Sequence, residues 1–163
     1  MEQAIETVIG LLSKIKDVYA EMVAISEIKQ QYIIKGNAQG LNEVVAGEWR
    51  LLKEVSELEE SRLAAAASLQ NQWGVNPLTI SEMEIRAPQY KGRLKKVSTE
   101  LKNTIAAQKK LNDQNMALLQ LHFEYMNFVM TNFTQEPPGD IYGNSGSIME
   151  AGLQSPGIFD SQA

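Results

Sequence analysis

Near the start of the chain Ile5, Val8, Leu12, Ile15, Tyr19 and Met22 recur at intervals of three and four residues, and this spacing is the tightest constraint on the fold. Positions three and four apart share one face of an α-helix, whereas a strand needs alternation by two. The spacing predicts a helix over residues 2–34, with Ile25, Ile28 and Tyr32 continuing the face after a small phase shift. Gly36 supplies its C-cap, and Asn37-Ala38-Gln39-Gly40 forms a short turn that implies an antiparallel neighbour.

That neighbour is a second helix over residues 41–73. Leu41, Val45, Leu52, Val55, Arg62, Ala66, Leu69 and Trp73 lie on one seam, with Trp49, Leu51, Leu58 and Leu63 beside it and Gly74 as the stop. At 1.5 Å per residue each helix is roughly 50 Å long, which favours an elongated, coiled-coil-like bundle over a ball. Glu54, Glu57, Glu59 and Glu60 read as a solvated face.

After a turn at Val75-Asn76-Pro77-Leu78, Thr79-Ile80-Ser81-Glu82 matches a capping box and opens a short helix that Ala87-Pro88 ends. A last helix follows to residue 133, its first half carrying the narrow seam Leu94, Val97, Leu101 and Ile105. Lys91, Arg93, Lys95, Lys96, Lys102, Lys109 and Lys110 surround that seam, and pairing with the acidic second helix or solvation accounts for them. Gln108, Asn112 and Asn115 then occupy successive core-type positions. They mark a polar layer that aligns the bundle or, alternatively, a ligand site.

The end of the last helix is apolar around most of its circumference. Leu118, Leu121, Tyr125 and Phe128 form one row; Leu119, Met126, Val129 and Phe133 form a second, interrupted by His122; Phe123 and Met130 extend the apolar surface around most of the circumference. An ordinary amphipathic stripe spans a little over ~100°, and one neighbouring helix cannot cover more. Residues 134–163 contain five Gly, three Pro and no basic residue, so this tail cannot bury enough apolar area to order itself alone. It nevertheless carries Ile141 and Tyr142, a capping-box match at Ser147-Ile148-Met149-Glu150 leading to Leu153, and Ile158-Phe159. Helix end and tail therefore read as a docking device for another protein, against the alternative of an inert tail.

Composition removes other classes. The chain has no cysteine, so it has neither disulfides nor a thiolate centre and suits a reducing compartment. Met1-Glu2-Gln3 lacks the basic opening of a secretory signal, and no apolar run reaches membrane-spanning length, so a cytoplasmic protein with no direct membrane insertion is expected. Of the net charge of -5, the acidic share lies beyond Lys110, the last basic residue, which argues against nucleic acid as a partner of the C-terminal half. His122 is the only histidine, placed on the inner seam as a packed or interface residue; one histidine cannot furnish the paired Glu-x-x-His motifs of a bundle metal site. With no phosphate loop or nucleophile elbow either, no enzyme, metal or cofactor is expected.

In the order of its elements the chain resembles the FlgN family of flagellar type III export chaperones. The likeness rests on the long first helix, Leu58-Glu59-Glu60-Ser61-Arg62, the turn and short helix after Trp73-Gly74, Leu111-Asn112 with Asn115 and Leu118-Leu119, and Tyr142-Gly143 in the tail. It implies a chaperone that shields the terminal helices of hook-associated proteins and delivers them to the cytoplasmic domain of the export gate. It further implies that the C-terminal region binds client and that Tyr142 contacts the gate.

The expectation is an all-α, elongated antiparallel bundle of three long helices and one short one over residues 1–133, with a flexible client-binding tail over 134–163. The client-binding set is Leu118, Leu121, Phe123, Tyr125, Met126, Phe128, Val129, Met130, Phe133, Ile141, Ile148, Met149, Leu153, Ile158 and Phe159. Met116, Met126, Met130 and Met149 suit adaptable contacts. The competing readings are a coiled-coil adaptor that self-associates through its last helix, giving a homodimer through helix end and tail, and, further off, a phosphotransfer bundle built on His122.

Overall fold

A computed structural model describes residues 2–134, with side chains through 132. The chain divides into two units, Met1–Leu121 and His122–Ala163. No strand occurs among the described residues, which form α1 (Glu2–Lys35), α2 (Ala38–Trp73), α3 (Ile80–Arg86), a 3₁₀ turn (Pro88–Tyr90) and α4 (Lys91–Thr134).

In the first unit α1 has both α2 and α4 as neighbours. Its buried face comprises Ile5, Val8, Ile9, Leu12, Ile15, Val18 and Met22 and then continues through Ser26, Lys29 and Ile33. The sequence expectation of a phase shift to Ile25, Ile28 and Tyr32 is thus corrected: the heptad spacing does not slip, and two of its inward positions are polar. Ile28 is exposed, while Ile25 and Tyr32 are half-buried on the flank toward α2.

Two glycines in the left-handed region punctuate the long helices, Gly36 and Gly74, both at φ 64°. At the first, Gly36 N–H donates to Ile33 C=O at 3.1 Å and Asn37 N–H to Tyr32 C=O at 2.9 Å, so the last carbonyls of α1 are satisfied. Asn37 also begins the next helix, its side chain accepting from Gly40 N–H at 2.9 Å. The predicted four-residue turn is therefore shorter than expected: Asn37 is an N-cap and α2 starts at Ala38.

The two helices run antiparallel, with Tyr32 against Gly40, Ile25 against Gly47, and Val18 and Met22 in one apolar cluster with Leu51. Half-buried Tyr19, Ile25, Leu52, Val55 and Leu58 pack on that cluster. The Tyr19 phenol is pushed up by burial, with the Glu59 carboxylate adding to the effect. Arg62 on the predicted α2 seam is held by Glu59, Nε to Oε2 at 2.8 Å and Nη2 to Oε1 at 2.7 Å.

Thr79 caps α3 as the capping-box match predicts, its hydroxyl accepting from Glu82 N–H at 3.1 Å. Arg86, at the other end of α3, lies 5.9 Å from the Trp73 ring centre and ties the short helix to the end of α2. Pro88 then sits at the start of the 3₁₀ turn, where its missing N–H costs nothing.

From the turn, α4 returns alongside α1. Glu6 meets Arg93, Lys16 approaches Glu100 at 3.8 Å and Ser26 meets Gln108, so numbering rises together and the two helices are parallel. Leu94, Val97 and Leu101 are buried on this seam. Of the two expectations for the basic set, solvation fits: Lys91, Arg93, Lys95, Lys96, Lys102, Lys109 and Lys110 are all exposed. Arg93 holds Glu6 of α1 with Nη2 to Oε2 at 2.8 Å, and its guanidinium keeps that carboxyl below the ordinary range.

Candidate functional site

The predicted polar seam is a layer crossing all three long helices. Ser26, Lys29, Gln108 and Asn115 are buried, and Asn112 is half-buried at the edge. The Ser26 hydroxyl accepts from Gln108 Nε2 at 3.0 Å, and its own proton has Gln108 Oε1 at 3.2 Å and Glu48 Oε1 at 3.4 Å as acceptors. Lys29 Nζ reaches Glu48 Oε2 at 2.8 Å, joining α1 to α2. Asn115 Nδ2 donates to the Ser26 carbonyl at 2.9 Å, joining α4 to α1.

Burying a charge is tolerable only when it is paired and hydrogen-bonded, and here each charged partner has the other. Sequence reasoning found Gln108, Asn112 and Asn115 but missed Ser26, Lys29 and Glu48. The signal was present: Ser26 and Lys29 continue the three-and-four spacing from Met22 to Ile33. Among the described residues no group of three His, Asp or Glu side chains is placed to hold a metal.

The apolar end of α4 has the opposite character. The row spaced by three and four runs through half-buried Leu118 to Leu121, Tyr125 and Phe128, which are 68%, 63% and 64% exposed. Phe123, Met126 and Met130 are also exposed, and Val129 is half-buried. Scattered apolar side chains on a surface need no explanation, but six of them fall within ten residues of one helix, Leu121, Tyr125 and Phe128 on one face and Phe123, Met126 and Met130 on the opposite one.

His122, predicted on an inner seam, is exposed instead. Its neighbours in the second apolar row, Leu119 and Val129, are half-buried, whereas Met126 is exposed. Phe133 lies in the last turn of α4, its side chain outside the described residues. Ile141, Tyr142, Ile148, Met149, Leu153, Ile158 and Phe159 lie outside the described residues altogether.

No helix among the described residues is long and apolar enough to cross a membrane. A family model described as FlgN protein matches residues 1–149. No curated protein and no solved structure matches the chain.

Proposed function

Because the chain belongs to the FlgN family, a family of flagellar export chaperones, we propose that it binds the terminal helices of hook-associated proteins in the cytoplasm and presents them to the export gate. The observation that carries this reading is the exposed row Leu121, Tyr125 and Phe128, with exposed Phe123, Met126 and Met130 on the opposite face of the same helix. A client's amphipathic helix needs an apolar strip of two to three turns. The end of α4 offers side chains at the i, i+4 and i+7 positions that such helix recognition uses.

Burying one Leu, Phe or Met contributes roughly 1.5 to 3 kcal/mol, so three or four anchors give useful affinity after association costs. The methionines let one surface repack against more than one client. On this reading Ile141, Ile148, Met149, Leu153, Ile158 and Phe159 add contacts from the tail, and Tyr142 serves the gate. The domain division follows function: residues 1–133 hold the bundle and 134–163 the added docking segment.

The test is co-purification and calorimetric titration with hook-associated proteins, comparing wild type with Leu121→Ser/Phe128→Ser. Both side chains are exposed, so the variant keeps its melting temperature, while affinity falls at least about tenfold, the equivalent of one lost anchor. A variant that binds as wild type does overturns the helix end as the client site. A homodimer that no client displaces supports the self-associating adaptor instead.

A further inference from the structure

The α1–α4 seam changes chemistry along its length. In its first half three of the four buried residues are apolar, Leu94, Val97 and Leu101 beside Ser98, and Arg93 clasps Glu6 near the start. In its second half the buried positions are Gln108 and Asn115, and the apolar Ile105, Leu111, Leu118 and Leu119 are only half-buried. Apolar side chains lose water only to their benefit, so the first half is held by the hydrophobic effect. Amides exchange hydrogen bonds to water for hydrogen bonds to protein, and the net gain is small.

One group in the second half is worse than neutral. Asn115 Oδ1 is buried with no hydrogen-bond partner, although Nδ2 of the same amide is satisfied by the Ser26 carbonyl. An unpartnered buried carbonyl penalises the closed state and regains its hydrogen bonds when water enters. The charged pair does not hold α4 in place either. Lys29 and Glu48 belong to α1 and α2, so their 2.8 Å contact survives when α4 moves away and both groups gain hydration.

We propose that α4 opens at this layer: residues 104–121 lift off the α1–α2 hairpin as one unit while residues 91–103 stay anchored through Leu94, Val97 and Leu101. The hinge lies between Leu101 and Gln108, where the seam passes from apolar to polar. The device follows from packing within the first unit and stands whether or not the chaperone reading does.

Native-state amide hydrogen exchange on the full chain tests it. Detached from its neighbours, a helical segment keeps little of its own protection, so opening is read directly at its amides. Amides of residues 104–121 should share one protection level, at least about tenfold below that of residues 95–103, with a step near Gln108. Asn115→Leu, which removes the orphaned oxygen and adds apolar contact, should slow exchange in residues 104–121 by about tenfold or more and leave 95–103 unchanged. If Asn115→Leu does not fold, Gln108→Leu carries the same expectation. Protection that is continuous across Gln108, that declines steadily toward Thr134 as simple end fraying would, or that shifts equally in both halves of the variant overturns the proposal.

Discussion

Gly40 is buried against the face of the Tyr32 ring, and a Cβ built there would lie 2.9 Å from three ring atoms. That approach sets how closely the start of α2 can lie against α1. Gly40→Ala therefore requires the ring or the hairpin to shift, and we expect a loss of about 1–3 kcal/mol in urea unfolding, the usual cost of overpacking. Lys29 behaves differently because it is buried and its partner Glu48 is half-buried. Lys29→Met leaves Glu48 charged and uncompensated and should cost about 3–5 kcal/mol, whereas Lys29→Met/Glu48→Leu should recover most of that loss. Unfolding of the two single variants and the double variant, analysed as a cycle, measures the coupling. Tyr19 adds a dependence on alkaline pH. Its folded phenol titrates above its unfolded value because burial disfavours the phenolate. The stability it contributes is present below the unfolded tyrosine range, about 10, and is lost as pH rises through the folded one. Tyr19→Phe should flatten the alkaline limb of a stability curve relative to wild type.

At the level of elements, caps decide where helices begin and tertiary contact decides what they bury. Thr79 holds the first turn of a seven-residue helix that is too short to persist by propensity. Thr79→Ala should cost about 1 kcal/mol, the typical value of a lost N-cap, read from the denaturation midpoint. Proton exchange should rise in α3 before it rises in α1. The long helices show how far periodicity carries. Ile5 to Met22 could be read as one face from spacing alone, and so could Leu94, Val97 and Leu101. The same reading failed at Ser26 and Lys29, because a search for apolar repeats skips polar residues at inward positions. It failed again at Asn37, where the side chain that looks like a turn residue is the cap that starts α2.

For the molecule as a whole, the buried residues named above all precede Leu121, and the exposed apolar row begins there. Stability and proposed docking are thus assigned to different stretches of the chain. Removing residues 135–163 should leave helix content and melting temperature nearly unchanged by circular dichroism, since the buried set of the described residues stays intact. A fall of more than a few degrees would place core residues in the removed segment.

The sequence by itself determined the class of fold, three long helices and a short one, because heptad spacing, two left-handed glycine stops and a capping box act within a few residues of one another. It also located the over-apolar end of α4, since an apolar surface wider than a neighbour can cover is visible in one helix alone. Which charges meet was left to the tertiary structure. The parallel register of α4 on α1 brings Arg93 level with Glu6, a pairing that no spacing within either helix reveals. The layer of Ser26, Lys29, Glu48, Gln108 and Asn115 exists only once three helices are in register, and no single stretch of chain contains it.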